Sequence, residues 1–442
     1  MDPFSNPAVA PARPLLRWIF LATLFVVLFA NFRFNVFRTV PMEAFAVFQA
    51  DSQALADQKV FEVASTGTWD PARGFLVRSK EMEKARLAGV FPAAAPEDGT
   101  IYRSQFGLQG LLISGLQRIF GQSPQRTLAL AESLMAAATA GVLIWLLAGF
   151  VEARGMIFAA LAVVPWLFSP TLVLAGRNLY WAIPLLMLPL AATWWIYRQR
   201  GLTPGALRLA FPAVAGLVFL KCLCGYEYIT CLCLAPGLAL AAIWAGNEFR
   251  GSKTFLTHAS ILFGAACVGF AVAIVVHVIF VWWAVGDFGQ AWGAIFGRAT
   301  SHIGATNVHS EVPEKYRHGL VGLVLMLIKY LTLPGVFVGA EVNLGEGTYS
   351  LITASFAGMT FFTVLLSVGR WVACGRILST LGPATVGVLA CLASLSWLIA
   401  ARGHALHHFH LNSIAFLPLI LALPFALLLA TAPAREQNSA ER

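Results

Sequence analysis

Met42-Glu43-Ala44-Phe45-Ala46-Val47-Phe48-Gln49-Ala50-Asp51-Ser52 opens the longest polar segment of a chain that is otherwise mostly fat-soluble, and Tyr102-Arg103-Ser104-Gln105-Phe106-Gly107-Leu108-Gln109-Gly110 closes it. The segment follows directly on the first apolar run, Trp18 to Ala30, which Arg13 and Arg17 precede. That run has the look of a signal peptide, but no small-x-small cleavage site follows it and many more apolar runs do, so it reads as a retained first helix. A polar segment placed between runs long enough to cross a bilayer has to emerge into water, and this one becomes a large loop on one side of a membrane.

Composition supports the same class. The 442 residues are 58% hydrophobic and only 12% charged, with a mean hydropathy of +0.74. A soluble domain is about a quarter charged; this chain lacks the polar surface to cover itself in water, so its solvent is lipid. The formal net charge of +9 suits anionic lipid head groups, and no basic run interleaved with aromatics points to nucleic acid. Seven cysteines all lie in or beside apolar stretches. The pairs Cys222/Cys224 and Cys231/Cys233 read as small polarisable helix residues in preference to metal ligands, and the odd count argues against a disulfide framework.

Further uncharged or nearly uncharged runs fall at about 127–151, 156–174, 179–197, 209–220, 222–246, 256–285, 319–339, 349–369, 383–401 and 411–432. Crossing the hydrocarbon takes roughly 20 residues, and most qualify. The run 209–220 is short and bounded by Arg208 and Lys221. The positive-inside rule sets the direction: with the N-terminus in the cytoplasm, Arg154, Arg198, Arg200, Arg208, Arg250 and Lys253 fall inside. Letting 319–339 cross would strand Arg370 and Arg376 outside, so that run, interrupted by Lys329 and Pro334, is expected to lie at the outer interface. Twelve Lys/Arg then sit inside against three in short outer loops. The expected fold is an all-α polytopic membrane protein of the plasma (inner) membrane with about ten transmembrane helices. Its expected parts are a disordered tail at 1–14, one transmembrane domain at 15–432 with outer loops 32–126 and 286–348, and a cytoplasmic tail at 433–442.

This topology puts the chemically unusual residues on the outer face. Glu43 and Asp51 are eight residues apart, about two helical turns, and either carboxylate suits a general base that takes the proton of an incoming hydroxyl; solvated loop charges are the plain alternative. Tyr102, Ser104, Gln105 and Gln109 offer hydroxyls and amides to a sugar-like ligand, while Ser104 also reads as a helix cap. The apolar residues at 111, 112, 115, 116 and 119 suggest a helix lying on the membrane surface. Arg177, with no acid nearby in sequence, suits a phosphate that it can grip with two hydrogen bonds, or it snorkels to lipid. Lys221 and Glu227 flank a helix break beside Tyr226 and either serve a site or pair with one another. Arg402 with His404, His407, His408 and His410 suits phosphate better than a metal, since no cysteine accompanies them and the spacing matches no closed zinc site; a plain interfacial belt is the equal alternative. Nothing in the sequence requires a divalent metal or other cofactor, and no nucleotide-binding signature is present.

One helix from the cytoplasmic side, a large outer loop with an acid soon after it, then many more spans: this arrangement resembles the GT-C class of integral membrane glycosyltransferases. Ala50-Asp51-Ser52, Tyr102-Arg103-Ser104-Gln105, Arg177-Asn178-Leu179-Tyr180-Trp181 and Gly225-Tyr226-Glu227-Tyr228 also look like bacterial membrane proteins linked to surface polysaccharides. The resemblance implies a polyprenyl-phosphate-linked sugar as donor and a saccharide or lipid acceptor. It implies Asp51 as the catalytic acid residue with Glu43 as second choice, and phosphate contacts from Arg177, Lys221, Arg402, His404 and His407. Substrate contacts would come from Tyr102, Ser104, Gln105, Gln109, Tyr180, Tyr226, Glu227, His408 and His410. The larger members carry a soluble C-terminal domain that has no counterpart here, so the acceptor site is expected from the outer loops alone. A flippase for lipid-linked saccharides and a non-catalytic assembly partner are the competing expectations.

Overall fold

A computed structural model describes residues 14–68, 74–121, 123–303, 314–317, 319–340, 349–374, 380–407 and 412–432. The chain is mostly helical, and eight of the described helices are long and apolar enough to cross a membrane. The first two of them, α1 (Pro14–Phe34) and, after the polar segment, Pro124–Arg154, run antiparallel. Arg17 near the start of α1 pairs with Glu152 near the end of Pro124–Arg154 at 3.0 Å, and Arg33 near the end of α1 donates to Ser133 near its start at 3.0 Å. The described residues between 35 and 123 are therefore held at one end of the helical bundle.

That layer contains α2 (Met42–Val47), α3 (Ala50–Thr66), a two-stranded ribbon of β1 (Val77–Arg78) and β2 (Thr100–Ile101), α4 (Lys80–Ala88) between the strands, and α5 (Leu108–Phe120). Helix α4 is too polar to be driven by burial; its caps define it. The Ser79 hydroxyl accepts from the Met82 N–H at 3.0 Å, while Asp98 accepts from the N–H groups of Lys80 and Glu81 at 2.8 and 3.3 Å and from the Ser79 hydroxyl, satisfying donors that a helix start leaves open. Those hydrogen bonds, the Ser79 one first, hold the Asp98 carboxyl below its ordinary value. Helix α5 can press onto Phe75 because Gly110 faces that residue's carbonyl oxygen, where a Cβ would overlap it.

The helix Pro124–Arg154 is α6. The apolar run expected to cross at 156–174 is broken into α7 (Met156–Leu167) and α8 (Pro170–Ala175). Pro170 disfavours a helical Ser169, whose hydroxyl instead caps α8 by accepting from the Leu172 N–H at 3.3 Å. Then come α9 (Ile183–Arg200), α10 (Pro204–Cys224), α11 (Ile229–Gly246) and α12 (Ser252–Val285). The run 209–220 is thus the middle of a helix of spanning length that takes in Lys221. Helices α10 and α12 touch backbone to backbone, with Gly269 set against Ala215, the small-residue contact that membrane helices favour.

After α13 (Phe288–Ile303) and α14 (Glu314–Arg317), α15 (Gly319–Leu331) has only 13 residues, a rise of about 20 Å against a hydrocarbon core of about 30 Å. Beyond it β3 (Pro334–Ala340) pairs antiparallel with β4 (Tyr349–Ser355), Phe337 opposite Thr353, so the run expected at 349–369 starts as a strand. The remaining elements are α16 (Phe356–Cys374), α17 (Gly382–Ala400), α18 (Arg402–His407) and α19 (Leu417–Ala430), the last preceded by a 3₁₀ turn at Asn412–Phe416. That turn and α19 form the most enclosed span, 83% buried against 22% for α1, with Phe425 packed on Trp194 and Phe150 at 4.7 and 5.2 Å between ring centres. Arg370 closes the end of α19 by donating to the carbonyls of Leu429, Ala430 and Ala432, groups that no helical partner remains to bind.

Candidate functional site

The end of the bundle that carries the described residues between 35 and 123 gathers two knots of buried polar groups. The first is built on Glu132, near the start of α6. Its carboxylate meets three guanidinium groups: Arg33 from α1 at 3.3 Å, Arg177 from the turn after α8 at 3.5 Å, and Arg86 from α4. Gln53 of α3 adds an N–H donor at 2.8 Å. Arg86 also binds Asp57 at 3.1 Å, one turn along α3 from Gln53. The knot thus sets three cations against two carboxylates, and all five side chains are at most 15% exposed.

Burial pushes the Asp57 carboxyl up to about 7; Arg86 pulls it back and Glu132 adds to the rise. One of its oxygens has no hydrogen-bond partner. Burial likewise pushes Arg177 down to about 10; Glu132 opposes that shift, and the neighbouring Arg33 and Arg86 reinforce it. With Asp57 near half-protonated at neutral pH the surplus positive charge grows, an arrangement suited to an anion. Arg177 is fixed in place by donating to the Phe45 carbonyl at 2.7 Å and by lying over the Phe45 ring, 4.0 Å from its centre.

The second knot joins residues far apart in the chain. Glu227, between α10 and α11, accepts from the Tyr180 hydroxyl at 2.9 Å and from the Gln105 amide, which also donates to that hydroxyl. Gln109 donates to the Cys224 carbonyl at 2.9 Å and to that of Tyr180 at 3.3 Å. Burial, and then the Glu227 charge, push the Tyr180 hydroxyl well above its ordinary value. Lys221 does not pair with Glu227; its ammonium donates to the Gly225 carbonyl at 2.9 Å. The oxygens of both Gln105 and Gln109 are buried without a donor.

Three strained residues sit at the same end. Gln49, Ala182 and Tyr228 have positive φ (55°, 47° and 63°), a conformation uncommon for residues with a side chain, and each immediately precedes a helix, α3, α9 and α11 respectively. Tyr228 is held there by ring contacts with Trp181 and Trp397 at 5.3 and 5.4 Å.

The residues singled out from sequence divide accordingly. Gln105, Gln109, Tyr180 and Glu227 come together, with Tyr102 half-buried beside them under the Arg78 guanidinium; Ser104 is half-buried on the same turn. Tyr226 turns away to His277, 2.9 Å from its Nδ1. Arg177 joins the first knot. Asp51 and Glu43 are exposed and form no ion pair among the described residues. Asp51 lies about 200° round α3 from Gln53, facing water while Gln53 and Asp57 face the knot. Arg402 donates to the Tyr316 carbonyl at 3.1 Å, and His404 meets Asn412 at 3.2 Å, so they lie on other neighbours than Arg177. His407 ends α18, and His408 and His410 lie outside the described residues.

Sequence reasoning missed Arg33, Gln53, Asp57, Arg86 and Glu132. Glu132 carried a readable signal, being an ionisable side chain inside an otherwise apolar run. Among the described residues no group of three or more His, Cys, Asp or Glu side chains is placed to hold a metal ion. No family model matches the chain, and neither does any curated protein or solved structure.

Proposed function

We propose that this protein is a membrane glycosyltransferase that takes a sugar from a polyprenyl-phosphate donor and passes it to an acceptor hydroxyl at the outer face. The observation that supports this reading is the gathering of Arg33, Arg86 and Arg177 around a single glutamate at the end of the bundle, with Asp57 pushed toward neutrality beside them. The excess of guanidinium groups beside apolar spans suits a lipid-borne phosphate, and it stabilises the negative charge that grows on the phosphate as the sugar leaves. The opposite end holds Arg17, Arg198 and Arg370, which under the positive-inside rule supports an outer position for the arginine knot.

Asp51 stands in the first turn of the helix whose other face feeds the arginine knot. Its exposed carboxylate is free to take the proton of an acceptor hydroxyl. The experiment is transfer from a panel of radiolabelled polyprenyl-phosphate sugars by the full-length protein in liposomes. Asp51→Asn is expected to abolish transfer without changing the melting temperature, and Arg177→Gln to weaken donor binding. Full transfer by Asp51→Asn removes that residue as the base. A wild-type protein that binds polyprenyl phosphate and moves it across the bilayer without releasing any sugar refutes the transferase and favours a carrier.

A further inference from the structure

Where the ends of α3 and α5 meet the start of α6, the outer layer opens into a cleft of about 690 Å³ that none of the residues discussed above lines. The volume falls in the range of small-molecule sites, about 300–1,000 Å³. Its walls mix small and polar groups: Ala64 and Ser65 from α3, Ala93 and Ala94 from the loop after α4, Gln117 and Arg118 from α5. The walls are built to hold their shape. The Ser65 hydroxyl accepts from the Ala95 N–H at 3.2 Å, and the Gln117 side-chain amide oxygen accepts from the Thr127 hydroxyl of α6 at 2.5 Å. Arg118 is exposed and forms no ion pair among the described residues, so its charge faces the opening unneutralised.

Beside the cleft α5 turns an apolar stripe outward. Leu112, Ile119 and Phe120 are exposed at 61%, 75% and 55%, whereas Gln109, Gly110, Ile113, Ser114 and Gln117 face the protein. An amphipathic helix with that stripe bare lies at a lipid surface. An occupant of the cleft is thus offered the exposed Ser65 hydroxyl, small apolar walls, one free cation and an adjacent lipid phase. The chemistry that meets all four is a saccharide headgroup bearing a carboxylate or phosphate and tethered to a lipid tail.

We propose that the cleft binds an anionic, membrane-anchored saccharide headgroup, at a place about 20 Å along α3 from Asp51. This binding is independent of the transferase reading. The test uses the full-length protein in nanodiscs, without donor, and two synthetic glycolipids with the same alkyl chain and a disaccharide headgroup ending in glucuronic acid or in glucose. Wild type is expected to bind the acidic glycolipid at least tenfold more tightly than the neutral one. Ala93→Trp, a change at an exposed wall, is expected to weaken both at least tenfold with an unchanged melting temperature, and Arg118→Gln to abolish the preference for the acid. Unchanged binding by Ala93→Trp overturns the proposal, as does a wild type that binds neither probe or an Arg118→Gln protein that still prefers the acid. A protein that binds glycolipid in the cleft yet transfers no sugar refutes the transferase reading and leaves the site standing.

Discussion

Asp57 lends itself to a pH titration of stability. Its side chain is fully enclosed, and burial, working against Arg86, lifts its carboxyl from an ordinary 3.8 to about 7. The folded protein therefore binds this proton more tightly than the unfolded chain does. The stabilisation that the proton brings is complete below about pH 4, shrinks by about 1.4 kcal/mol per pH unit above that, and is gone above about pH 7, a total of about 4 kcal/mol. Asp57→Asn keeps the shape of the protonated acid and cannot ionise. Unfolding of the purified protein followed by tryptophan fluorescence from pH 5 to pH 8 gives the comparison, and the difference between wild type and variant cancels the titrating groups that do not touch Asp57. Wild type should lose stability relative to Asp57→Asn between pH 5 and 7, and the variant should be the more stable protein at pH 8. The contrary result is a variant weaker by about 3–5 kcal/mol at every pH, as breaking a buried ion pair costs. It would mean that Arg86, 3.1 Å away, keeps Asp57 ionised throughout, and the argument from burial would fail.

Gly110→Ala places a methyl group on the Phe75 carbonyl oxygen; the overlap should push α5 off the β1 side of the layer and destabilise it by about 1–3 kcal/mol, seen as faster cleavage of residues 74–121 in limited proteolysis with the spans intact. Glu152→Gln removes the partner of both Arg17 and Arg198, but that carboxylate is 38% exposed and solvent screens it, so the melting temperature should move by an amount equivalent to no more than about 1 kcal/mol. A loss several times larger would show that the basic end depends on that pair.

Much of the bundle could be read from apolar run length, because crossing lipid demands about 20 residues that satisfy their own backbone. Helices α1, α6, α12 and α17 fall where the runs do. Hydropathy is blind to what breaks a helix from within: Ser169 and Pro170 divide 156–174, and the pairing of β4 with β3 takes the start of 349–369. Site residues followed the same division. Gln105, Gln109, Tyr180 and Glu227 stood out as polar side chains beside apolar runs and do converge. Asp57 and Arg86 sit on helices rich in charge, where a residue turned inward cannot be told from its solvated neighbours. Periodicity ranks Asp51 and Asp57 alike; only the packing of α3 against α6 separates the exposed acid from the enclosed one.

The seam between α1 and α6 constrains the order in which the protein is made. The two helices lock at both ends, yet a whole layer of chain separates them and is synthesised before the second arrives. Until then α1 waits in the bilayer with Asn31 and Arg33 deprived of their later partners on Leu167 and Glu132.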